Sequence, residues 1–182
     1  MNIAIIAGSN HKHATSTQLL RYIARELRTR GADVTLIDLW AQPVPFYSPD
    51  NEEMHPNVKL LVDAVAGADG LVFGTPEYHG SISGVLKNAV DYLSGALVAG
   101  KPVLSVSSSG GPVGVSSLTQ LQTIVRNLHG INSPEWISIG GAKSFAPDGA
   151  PADEGTRLRV GQALDYFTHM VSLMRPAAAN AM

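Results

Sequence analysis

Short apolar runs alternate with longer amphipathic stretches along the chain. Asn2–Ala7 is apolar and β-branched and stops at Gly8, the pattern of a strand buried on both faces. Over residues 16–30, Leu19, Leu20, Ile23, Ala24 and Leu27 recur at helical spacing. Arg21, Arg25, Glu26, Arg28 and Arg30 take the opposite side, and Gly31 marks the stop. Residues 33–37 form the next apolar run. A proline-rich stretch, 42–56, predicts a surface excursion, and Pro56 opens a helix reaching about residue 66. Residues 68–74 carry the run Leu71-Val-Phe73, a third strand. Helical spacing returns over 83–94, with Val85, Leu86, Ala89, Val90 and Leu93 on one face. Residues 101–106 read as a fourth strand, 115–128 as a helix, 135–139 as a fifth strand and 153–173 as a closing helix. The Ala-rich tail, 176–182, is expected to fray.

Strands separated by helix-length segments argue for βαβ units with right-handed crossovers. Five such strands fit an α/β doubly wound parallel sheet in the order 2-1-3-4-5, with helices on both faces. No repeat or linker interrupts the 182 residues, so one domain spanning 1–182 is expected.

Composition narrows the chemistry. With no cysteine, thiolate catalysis, iron–sulfur clusters and cysteine zinc sites are excluded, so redox chemistry would need a bound cofactor. A net charge of -2 supplies no electrostatic attraction for nucleic acid or an acidic membrane. The first apolar run is too short for a signal peptide, and the stretch 96–106 is broken by Lys101-Pro102, so a cytoplasmic protein is expected. Gly95-x4-Gly100-Lys101-Pro102 ends in Pro where a phosphate loop needs Ser or Thr for magnesium, and it precedes a strand rather than following one. His11-x-His13 has no third ligand placed by spacing, and no Gly-x-Ser-x-Gly elbow is present. Lys87 and Asp91, four apart, read as a surface pair or part of a subunit contact.

In such a sheet ligands lie beyond the carboxyl ends of the strands, at the switch between the first and third. Three loops leave there. The first, residues 8–17, offers Ser9, Ser16 and Thr17 hydroxyls with Lys12, His11 and His13 before a helix N-terminus, an anion site in outline. It reads equally as an ordinary polar loop with Ser16 as N-cap. The second, Thr75-Pro76-Glu77-Tyr78-His79-Gly80-Ser81, sets an aromatic ring beside a glycine that permits close approach. A structural turn with Tyr78 half-buried is its alternative. The third, residues 107–114, is built from Ser and Gly and leaves backbone N–H groups open to a polar heterocycle edge; as a plain connection it would be flexible.

The block Thr75-Pro-Glu-Tyr-His-Gly-Ser-Ile-Ser-Gly-Val-Leu-Lys-Asn-Ala-Val-Asp-Tyr92 resembles the signature loop and following helix of the NAD(P)H-dependent FMN reductases. That family is flavodoxin-like and includes flavin, azo-dye, quinone and chromate reductases. Gly8-Ser9, Ser16-Thr17 and the Ser-Gly-Gly at 109–111 agree with it. The resemblance implies FMN as cofactor, with NADPH or NADH as hydride donor. It places the phosphate on Ser9, His11, Ser16 and Thr17. Pro76, Glu77, Tyr78 and His79 would lie along the isoalloxazine and ribityl chain, and Ser108, Gly110 and Gly111 at the pyrimidine edge. Where the family carries Arg and, three residues on, Ser, this chain has His11 and Ala14, with Lys12 or His13 placed to compensate. The resemblance further implies a homodimer or homotetramer, with 42–56 and 83–94 as contact candidates. One open flavin face would serve donor and acceptor in turn, which predicts ping-pong kinetics. The alternatives are a quinone or azo reductase that retains its FMN, an FMN-dependent dehydrogenase of a small metabolite, and a non-catalytic electron carrier. Low net charge and a first loop without the carrier flavodoxins' Thr-Gly-rich motif weigh against the last.

Overall fold

In the computed structural model, residues 1–50, 53–111, 113–140 and 145–175 are described, and they form seven strands and six helices. The tail 176–182 lies outside them. The strands are β1 Asn2–Ala7, β2 Asp33–Asp38, β3 Gly70–Tyr78, β4 Ser81–Ile82, β5 Pro102–Ser109, β6 Ile131–Asn132 and β7 Ile137–Gly140. The helices are α1 Thr15–Thr29, α2 Pro56–Ala66, α3 Gly84–Asp91, α4 Gly95–Val98, α5 Val115–Asn127 and α6 Glu154–Met174.

The sheet runs β2-β1-β3-β5, with β6 and β7 both pairing parallel to β5. This is the expected flavodoxin-like order, with the fifth position shared by two short strands. Pro134 explains the division, because a residue without an N–H cannot donate to a ladder. The third strand also runs past Gly74 to Tyr78 and folds back as antiparallel β4. The helix expected over 83–94 ends at Asp91, and an unpredicted single-turn helix, α4, follows beyond residue 94. Its start is sharp, because the Ser83 hydroxyl accepts the Leu86 N–H at 3.0 Å. Helix α1 begins at Thr15 with Ala14 at the cap position, so the reading of Ser16 as N-cap does not hold.

The strands divide the core by their period of two. Ile3, Ile5 and Ala7 face α1 and α6 with Val72, Leu104 and Phe167. Ala4 and Ile6 face the other layer with Leu71, Phe73, Leu61, Leu86 and Leu121. The proline-rich excursion is fastened to α3. The Pro45 carbonyl accepts the Asn88 amide at 2.8 Å and the Tyr92 hydroxyl at 3.1 Å, and the Tyr47 and Tyr92 rings meet edge-on.

Candidate functional site

The carboxyl ends of β1, β3 and β5 bring the three loops together. Gly8 leaves β1 with its N–H donating to the Gly74 carbonyl at 2.8 Å. A Cβ there would stand 2.5 Å from Leu86 Cβ and 2.7 Å from that carbonyl, so only glycine fits. Ser83 Oγ donates to the Gly8 carbonyl at 2.5 Å, and Thr75 Oγ1 accepts the Ser83 N–H at 2.9 Å. The first loop is thereby bonded to the helix that follows the second.

Ser9 is buried, and its hydroxyl accepts the His11 N–H at 3.2 Å, which curls the chain into α1. Ser16 and Thr17 occupy the first turn of α1, where backbone N–H groups have no intrahelical partner. Both are at most 2% exposed, and neither hydroxyl has a hydrogen-bond partner among the described residues. Buried polar atoms without partners are uncommon because each forfeits its hydration. Two together at the positive end of a fifteen-residue helix form a donor set suited to a phosphate group. The chemistry of this turn fits a phosphate group, although Ser9, Ser16 and Thr17 are not themselves among the residues that wall the neighbouring cleft.

Beside this turn opens a cleft of about 410 Å³, walled by His11, His13, Ala14 and Thr15 on one side, Pro76, Glu77 and Tyr78 on a second and Ser108, Ser109 and Gly110 on a third. Tyr78 is 49% exposed and presents its ring to the opening. Lys12 rests with Nζ 5.6 Å from the Trp40 ring centroid. The Trp40 backbone N–H donates in turn to Asp38 Oδ1 (3.1 Å), and Asp38 is paired with Arg21 at 2.9 Å.

The second loop is a two-residue hairpin. His79 and Gly80 have φ of 53° and 71°, the pair of positive values that a type I′ turn requires. His79 therefore sits exposed at the tip and is not among the residues walling the cleft. Gly111 likewise lies outside the walls, its carbonyl accepting the Ser109 hydroxyl at 3.0 Å. The Glu77 carboxylate faces both ways: it borders the cleft, and Oε2 accepts the Ser117 N–H at 2.9 Å in the first turn of α5. A carboxylate at a helix N-terminus is stabilised by the local N–H groups, and here it ties loop two to the helix that follows loop three.

Two residues escaped the sequence reading. Gln120 clamps the hairpin, with Oε1 accepting the Ser81 hydroxyl at 2.7 Å and Nε2 donating to the Gly80 carbonyl at 3.1 Å. Ser138 accepts the Gly114 N–H at 2.8 Å and lies 3.0 Å from the Ser107 hydroxyl, which braces the third loop from β7. Neither stands in a motif. Gln120 could have been flagged only as a polar residue one turn into a helix that starts at the sheet's ligand edge.

A doubly wound sheet with an anion-ready helix start at its switch point defines a flavodoxin-like nucleotide-binding protein. Its family follows from comparison. Residues 1–144 match the model of the NADPH-dependent FMN reductase family, and the chain belongs to that family. It is an NAD(P)H-dependent flavin oxidoreductase. The FMN-dependent NADPH-azoreductase of Staphylococcus haemolyticus (strain JCSC1435) is 36% identical over 157 residues, 84% of this chain and 81% of that protein. The protein of the same name from Staphylococcus aureus (strain USA300) is 37% identical over 139 residues, 74% of each. Among solved structures, FerB, a flavoenzyme NAD(P)H:(acceptor) oxidoreductase from Paracoccus denitrificans, superposes with a TM-score of 0.83 at 24% identity. That match covers 95% of this chain and 98% of FerB. A flavodoxin from the Archaea matches at 0.66 and 13% identity over 93% of this chain and 99% of its own. The last two show the shared fold.

Proposed function

We propose that the chain holds FMN with its phosphate on the first turn of α1, takes hydride from NADPH or NADH, and passes the electrons to a small aromatic acceptor of the azo or quinone type. The observation that carries this reading is the pair of unpartnered, buried hydroxyls of Ser16 and Thr17. They donate to phosphate oxygens together with the N–H groups around them, while Ser9 holds the loop's curl. His11 and His13 stand at the mouth with Lys12 behind them. In place of a forked guanidinium they supply a weaker, salt-sensitive contact. Pro76, Glu77 and Tyr78 wall the ring's flank with His79 at the rim, and Ser108 and Gly110 border its polar edge, with Gly111 beyond the walls. FMN, when bound, supplies a two-electron centre that accepts hydride from a nicotinamide; the protein's part is to position it and leave one face open.

The azo class is supported by the names of the Staphylococcus relatives mentioned above, which the chain matches over most of their length. We assign the whole chain to one domain, acting in the cytoplasm. We also assign it a homodimer or homotetramer, because Phe46, 90% exposed on the strap beside α3, gives an apolar surface for a second copy.

The test is oxidation of NADPH and NADH by apoprotein with FMN titrated in and air as sole acceptor, then with an azo dye added. Turnover that saturates with FMN and rises with the dye supports the proposal. FMN binding without nucleotide oxidation would return the chain to the electron-carrier reading, and no FMN binding would overturn the site.

A further inference from the structure

A second cavity is larger than the cleft. About 500 Å³ in volume, it opens on the far side of the third loop, between the start of α5, the entry to β7 and the N-terminal half of α6. Its walls combine two features. Trp136 and Tyr166, 38% and 48% exposed, give it two aromatic surfaces, with Val113 and Val115 alongside at 52% and 43%. Arg159 lies within it, exposed, and no carboxylate among the described residues is within ion-pair distance of its guanidinium. Arg159, Gln162 and Tyr166 are spaced three and four apart along α6 and so project on one face of that helix. The other polar wall residues are engaged elsewhere: Ser138 with Gly114 and Ser107, and Thr156 with Asp153. Glu135 is the one acid in the lining.

Aromatic walls select a flat apolar body, and an unpaired guanidinium selects an anionic group at its edge through a charge-assisted, forked contact. The volume suits a bicyclic ring system with its substituent. The cavity also shares a structural wall with the cleft. Val113 and Val115 flank Gly114, whose carbonyl accepts the Ser107 hydroxyl at 3.0 Å, and Ser107 adjoins Ser108 in the cleft.

We propose that this cavity is a second binding site, separate from the cleft, for a planar aromatic anion: an aryl carboxylate or sulfonate, or the adenine-phosphate end of a nucleotide. Arg159 binds the anionic group and Trp136 and Tyr166 stack on the ring.

The test is titration of FMN-supplemented protein with naphthalene-2-sulfonate, followed through the two tryptophan indole N–H resonances in NMR, assigned with Trp40→Phe and Trp136→Phe. Saturable movement of the Trp136 signal with Trp40 unmoved supports the site. Arg159→Gln should weaken binding about fivefold or more. Glu135→Gln should strengthen it about twofold, because a like charge leaves the lining. These opposite signs would not follow from general loosening. A neutral isostere, 2-naphthylmethanol, should bind more weakly than the sulfonate and be indifferent to Arg159→Gln. Competition by adenosine 2′,5′-bisphosphate would assign the site to a nucleotide, and its failure to compete would assign it to an aryl acid. An unmoved Trp136 signal, or equal affinity of the wild type and Arg159→Gln, overturns the proposal. Because neither readout is catalytic, it can fail while the flavin reading stands.

Discussion

The unpartnered hydroxyls under the cleft allow a prediction in which stability and affinity move in opposite directions. Consider Ser16→Ala combined with Thr17→Val. Each replaces a buried hydroxyl that has no partner with an apolar group of similar shape. An unsatisfied buried donor costs about 1–3 kcal/mol, so two of them, taken at the low end, should make the double variant of the apoprotein more stable by roughly 2 kcal/mol. For a chain of 182 residues that corresponds to a rise in melting temperature of about 4–8 °C, at 2–4 °C per kcal/mol. FMN binding should move the other way. Two hydrogen bonds to a charged phosphate, at about 1.5 kcal/mol each, sum to roughly 3 kcal/mol, or about a hundredfold in dissociation constant. The assay is calorimetric melting of apoprotein beside fluorescence titration of FMN. A structural role for these hydroxyls would give a less stable apoprotein with unchanged FMN affinity. That pair of results would refute the reasoning, and a loss of both would show that the fold, not the site, had been damaged.

Other outcomes follow from the same geometry. Gly8→Ala puts a methyl group 2.5 Å from Leu86 Cβ, so it should cost about 3 kcal/mol in urea unfolding and reduce FMN binding with it; a neutral substitution would mean that α3 can shift freely. Gln120→Leu removes the hairpin clamp, and should lower stability by about 1–2 kcal/mol and speed amide exchange over 80–82 well above that of β1. His79→Gly relieves a positive φ and should stabilise the turn by about 1 kcal/mol while leaving FMN affinity within about twofold, because the side chain sits outside the walls. Burial lowers the Lys101 pKa, partly offset by the charge of Asp69, while its ammonium donates to the Val65 and Ala66 carbonyls. The unfolded chain then binds the extra proton in the alkaline range just below the free lysine value of about 10.4. This contribution to stability should be fully present above that value and be lost as pH falls through the folded one. Tyr22, raised mainly by burial, acts in the opposite sense at nearby pH, so the measurable quantity is the difference in pH-stability slope between wild type and Lys101→Met.

The sequence by itself determined the alternation of elements, the apolar faces of the helices over 16–30 and 83–94 and the three loops that meet at one sheet edge. It could do so because those features are written in short-range periodicity: a period of two in Asn2–Ala7, helical spacing from Leu19 to Leu27, and glycine stops at Gly8 and Gly31. The block 75–92 also carried the family. What tertiary structure decided depends on partners far apart in the chain. Ser16 was legible as a polar residue at a helix start. That its hydroxyl is buried and left without a partner, instead of capping the helix, follows only once Ala14 takes the cap position and the neighbouring elements close over the turn. Glu77 was assigned to the cleft alone, yet its carboxylate also holds α5 across forty residues. The long third strand, its His79-Gly80 turn and the Gln120 clamp likewise depend on α5 being set against the sheet. The second cavity had no sequence signal at all. Trp136 lies at the entry to β7 and Arg159 and Tyr166 lie on α6, and only the packing of α6 beside β7 makes them one surface.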